Sequence, residues 1–97
     1  FVGYLPVEAD ARDARIRELE ALSRRTGQTQ LMIETPYRNP ALLAALLAQL
    51  QAGTRLSVSG ALTTPEAFTR SDRIAAWRAA PRSLPTDRPA VFALLAE

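Results

Sequence analysis

One run holds most of the side chains in this sequence that could do chemistry: Glu34-Thr35-Pro36-Tyr37-Arg38. It follows an apolar stretch, Leu31-Met32-Ile33, and precedes a second one rich in leucine. In open α/β sheets, ligands bind where strands end and polar groups begin. Tyr37 offers a ring that can stack on a flat ligand, and Arg38 a planar fork that suits an anion. An anionic, planar substrate is therefore one reading of the pair. The other is structural: Arg38 bonds loop carbonyls or pairs with Glu34 and braces the turn. Glu34 and Glu66 are the carboxylates near predicted strand ends. Two such groups could move protons, or each could be a solvated or salt-bridged side chain. Neither reading assigns a catalytic residue.

The absent residue types narrow the chemistry. There is no cysteine and no histidine. That removes a disulfide frame, a thiolate metal site, a cysteine nucleophile and the commonest general base. No Gly-rich phosphate loop, Walker motif, zinc spacing or Ser-His-Asp set occurs, and no metal site is expected. Ser59-Gly60-Ala61 places small side chains at a predicted strand end, where a flat ring could lie on the backbone or the chain could simply turn. Met32 and Trp77 read as core fillers.

These candidates need a scaffold. The chain has 97 residues, 47% of them apolar and 23% charged, which suits one compact domain with a real core. All 12 basic residues are arginine, scattered among Asp and Glu to a net charge of +2. Arginine without lysine, with abundant alanine, points to a GC-rich bacterial genome. Scattered charge gives little support to a nucleic-acid surface. No signal peptide and no membrane-length apolar run is present, so the expected location is cytoplasmic, without a membrane partner. The sequence opens on Phe1 in a strand-like run and reads as a fragment of a longer protein.

Along the chain, Phe1 to Pro6 reads as a short strand. Asp10 is the expected cap of the next helix, with Asp13 in its first turn and Ile16, Leu19 and Leu22 as its apolar stripe. Asp13 with Arg17, and Glu20 with Arg24, are i,i+4 pairs expected on the wet side. Gly27 is the expected C′ residue. Thr29 to Glu34 is the second strand, apolar on both faces. Asn39 then caps a helix whose first turn holds Pro40, and Leu42, Leu43, Leu46, Leu47 and Leu50 form its face up to Gly53. Arg55 to Ser59 alternates as a strand. Glu66 to Thr69 is a short edge strand, Ser71 caps a helix carrying Ile74 and Trp77, Pro81 to Arg88 is a loop, and Pro89 to Leu95 is the last strand. The expected fold is α/β: a mixed five-stranded sheet with helices packed on it, in the order β-α-β-α-β-β-α-β. Its expected core is Leu31, Ile33, Leu43, Leu46, Leu56, Val58, Phe92 and Leu94.

Phe1-x-Gly3-Tyr4-Leu5-Pro6, Arg15 and Leu19, Ile33-Glu34-Thr35-Pro36-Tyr37-Arg38 and Leu62-Thr63 after a small-residue strand end resemble one family. It is the C-terminal half of the tetrapyrrole methylase superfamily, the class III S-adenosylmethionine-dependent methyltransferases, near the branch that methylates small-subunit rRNA on ribose 2′-oxygens. The chain departs from that branch at Tyr37, Gly60-Ala61 and Arg88-Pro89, where the branch carries His, Arg-Glu and Gly-Glu. The resemblance implies S-adenosylmethionine as cofactor, clasped between this domain, 1–97, and an N-terminal Gly-rich domain absent from this chain. It implies adenosine contacts from Ile33, Glu34 and Thr35, from Ser59 and Gly60, and from Pro89, Ala90 and Val91. It also implies a homodimer, with Tyr37 and Arg38 facing a methyl acceptor that is RNA or a tetrapyrrole. The alternative is a non-catalytic binding or dimerisation module with the same fold.

Overall fold

The computed structural model describes residues 1–60, 65 and 67–97. Among them the elements are β1 (Gly3–Tyr4), α1 (Ala9–Thr26), β2 (Gln30–Ile33), α2 (Asn39–Gln49), β3 (Arg55–Gly60), β4 (Phe68–Arg73), α3 (Ile74–Ala79) and β5 (Ala90–Leu95), with a 3₁₀ turn at Pro36–Arg38. The strands form one mixed sheet in the order β1-β2-β5-β3-β4. The architecture is the expected one. β1 is parallel to β2, and β5 runs antiparallel to both of its neighbours, β2 and β3. The C-terminal ends of β1, β2 and β3 therefore share one edge with the N-terminal ends of β4 and β5.

The pleat decides which side is core. Met32, Phe92 and Val58 stand in one row, and Leu94 and Leu56 in the next. All five are buried with Ile16 and Leu19 of α1, Leu42, Leu43 and Leu46 of α2, and Ile74 and Trp77 of α3. The opposite face carries Leu31, Ile33, Val91, Ala93 and Leu95 beside Ser57, Ser59, Thr69 and Ser71, and no described helix covers it. Leu31 is 38% exposed and Met32 fully buried, so Met32 replaces Leu31 in the core, with Ile33 only half-buried. An apolar run has two faces, and only one of them meets the helices.

Several local expectations shift. Glu8, not Asp10, caps α1: its carboxylate accepts from the Asp10 and Ala11 amides, so Asp13 lies beyond the first turn. Gly27 adopts φ 70 and donates to the Ser23 carbonyl, as a C-terminal glycine should. Glu20 is buried rather than paired with Arg24 on the wet side. It accepts from the Gln51 amide at 2.8 Å and the Thr54 hydroxyl at 2.5 Å, fastening the α2–β3 turn. Arg24 and Arg17 bond Gln51 and Gln49 instead. β4 is longer than expected and begins later, so Ser71 lies mid-strand and pairs with Ser57 instead of capping a helix.

Candidate functional site

The end of β2 is organised by one carboxylate. Glu34 is 6% exposed. Its Oε1 accepts from the Thr35 amide at 2.7 Å, the Thr35 hydroxyl at 3.3 Å and Arg38 Nε at 3.1 Å. Pro36 then starts the 3₁₀ turn with its φ already set. Arg38 also donates to the Tyr37 hydroxyl, and its guanidinium lies 4.7 Å from the Tyr37 ring centroid. The bracing contact foreseen between Arg38 and Glu34 is present. Tyr37 remains 64% exposed, so one face of this pair still meets solvent.

Asn39 does not cap α2. It is the first helical residue, the N-cap position falls on Arg38 and carries no side-chain bond, and the buried Asn39 amide donates to the Arg88 carbonyl at 3.1 Å. This bond ties the Glu34–Arg38 turn to the segment entering β5. Asn39 Oδ1 has no partner among the described residues.

Across the same edge, Ile33 pairs with Val91, Val91 with Ser59, and Gly60 with Ala90. The ten residues singled out in the sequence, Ile33, Glu34, Thr35, Tyr37, Arg38, Ser59, Gly60, Pro89, Ala90 and Val91, thus gather around one edge of the sheet. Glu66, Ala61, Leu62 and Thr63 lie outside the described residues.

The room expected over Gly60 is taken. A Cβ built on Gly60 would meet Phe68 Cε1 at 2.5 Å and Cζ at 2.8 Å, distances no side chain tolerates without movement. The place a Gly60 side chain would take is filled by the edge of the chain's own Phe68 ring. The Arg82 guanidinium covers that ring 3.7 Å from its centroid. Neither Phe68 nor Arg82 was singled out from sequence. The available signal was an aromatic opposite a strand-end glycine, a pairing by which sheets cover bare backbone.

No family model matches the chain, and no curated protein matches it in sequence. Among solved structures it is similar to the crystal structure of the methyltransferase CobJ, with a TM-score of 0.54 at 13% identity. The fold is shared with a methyltransferase. The match covers 100% of this chain and 46% of CobJ, so the chain spans less than half of that protein's length. At this identity the likeness is one of fold.

Proposed function

We propose that this chain is the C-terminal half of a two-domain, cytoplasmic, homodimeric S-adenosylmethionine-dependent methyltransferase of the tetrapyrrole methylase superfamily. The observation that carries the reading is the gathering of three strand ends at one edge, in a fold shared with a methyltransferase. Small residues and backbone groups at that edge suit a flat purine and its ribose. Gly60, beside Phe68, and Ala90, its ladder partner, belong to the adenosine side of this edge. Ile33, Glu34, Thr35, Ser59, Pro89 and Val91 complete the adenosine side. Among the described residues no helix is long and apolar enough to cross a membrane.

When bound, S-adenosylmethionine supplies a sulfonium-activated methyl carbon. The chain's own task is placement: an acceptor held in line, with water excluded, needs no histidine or cysteine. Tyr37 and Arg38 form the acceptor side. The exposed ring and the guanidinium stacked on it suit a planar, anionic acceptor, RNA ahead of a tetrapyrrole. The rRNA branch is the finer form of this reading.

The test is calorimetric binding of S-adenosylmethionine and labelled methyl transfer by the full-length protein, with residues 1–97 alone as control. Binding and turnover by the whole and no turnover by the part are expected. Robust turnover by residues 1–97 would overturn the two-domain reading. A second reading, a non-catalytic docking module, draws on the uncovered sheet face. Absence of a Gly-rich strand-turn in the preceding domain would favour it.

A further inference from the structure

Three arginines lie on aromatic rings among the described residues, and they are held differently. Arg38 over Tyr37 is fixed by Glu34. Arg70, 4.1 Å from the Trp77 ring centroid, is fixed by Asp72 at 2.6 Å and by the Ala80 and Ala76 carbonyls at 2.5 and 3.2 Å. Arg82 over Phe68 has the stack alone: it makes no ion pair among the described residues. Two stacks are bolted down, and the third is exchangeable.

The exchangeable stack covers a particular ring. Phe68 is half-buried against the core, fills with its ring edge the place a Gly60 side chain would take, and pairs with Gly60 in the ladder. Gly60 in turn pairs with Ala90. The Cδ1–Cε1–Cζ edge of the ring is thus seated in the space that the missing Gly60 side chain leaves. The exposed Arg82 covers a face of the same ring.

We propose that Phe68 is the stacking shelf for the adenine of the cofactor, and that Arg82 is its internal placeholder, a planar cation that leaves when the base lies down. This rests on the methyltransferase reading above. The 3.7 Å separation is ordinary contact distance, so no ring fits between Arg82 and Phe68. Binding there is an exchange of one planar group for another. A nucleobase on an aromatic ring gains more than an exposed guanidinium does, so the exchange runs toward the base. Gly60 is required because any side chain there would lift the shelf.

The experiment is titration calorimetry of the full-length protein with S-adenosylhomocysteine and with methylthioadenosine, which keeps the adenine and lacks the amino-acid tail. Thermal unfolding is recorded for each variant. Phe68→Leu should weaken both ligands about tenfold, whereas Phe68→Tyr should stay within about twofold of the parent. Arg82→Ala, at an exposed position, should bind both more tightly than the parent. Unaltered affinity in Phe68→Leu, or affinity that does not rise in Arg82→Ala, overturns the shelf and leaves the cofactor reading standing. No binding of S-adenosylhomocysteine by the parent overturns the cofactor reading and the shelf with it. If Phe68→Leu does not fold, Arg82→Ala decides alone, because its predicted sign is opposite to that of an ordinary contact residue.

Discussion

The ends of β2 and β3 lie two strands apart on the same sheet edge and are built in opposite ways. At β2 the chain is held by directional bonds: a buried carboxylate gathers an amide, a hydroxyl and a guanidinium, and Asn39 reaches across to the Arg88 carbonyl. At β3 it is held by contact: a ring edge in the space beside Gly60, and that ring under a guanidinium. A network of buried hydrogen bonds has one geometry and is costly to open. A stack slides and exchanges partners at little cost. An edge that must both fix a cofactor and admit it has use for one end of each kind.

The largest expected effect touches both ends at once. Leu46 is fully buried on α2, in the core that supports them, and Leu46→Ala should lower stability by about 2–5 kcal/mol in chemical denaturation. A loss below ~1 kcal/mol would make α2 peripheral and the comparison moot. Next comes the bonded end. Glu34→Ala leaves the Thr35 amide and the Arg38 guanidinium without their acceptor and should cost about 2–3 kcal/mol. Arg38→Ala should cost less, about 1–2 kcal/mol, because its quarter-exposed side chain already meets water. If Arg38→Ala instead keeps its melting temperature while acceptor binding falls, the arginine serves the substrate and the bracing role is dropped. At the stacked end, Gly60→Val should cost about 1–3 kcal/mol through its clash with Phe68. Pairing it with Phe68→Leu should restore part of that loss, and no recovery would mean the clash is with something else. The smallest effect belongs to the uncovered face, where Ser71→Val loses one hydroxyl bond to Ser57 and should move stability by no more than about 0.5 kcal/mol.

What the sequence disclosed follows the reach of its signals. Period-two alternation in Arg55 to Ser59 placed β3, and the leucine spacing placed α2, because each pattern is generated by burial on one face. The same logic slipped at Glu20, which stands with Ile16, Leu19 and Ser23 on the buried stripe of α1. A carboxylate there looks wet until its partners, 31 and 34 residues away, are known. β4 was misjudged for a related reason: Thr69, Arg70, Ser71 and Asp72 lack apolar alternation, and the strand exists because β3 offers it a ladder. At the site, the bracing of Glu34 by Arg38 was visible as a local spacing. The reach of Asn39 to Arg88 and the seating of Arg82 on Phe68 were not, since both depend on how a proline-rich loop returns to the sheet.

The place of β5 sets an order of events. It is the middle strand of the sheet, and β2 and β3 each pair with it rather than with each other. Before residue 90 the sheet therefore consists of two ladders, a β1-β2 pair and a β3-β4 pair, linked through the helices rather than through strand pairing. Closing the sheet requires β5 to pair with both of them. Long-range pairing of that kind is slow and leaves unpaired backbone available to other chains. Removing residues 90–95 would not trim a margin of this domain but take out its keystone.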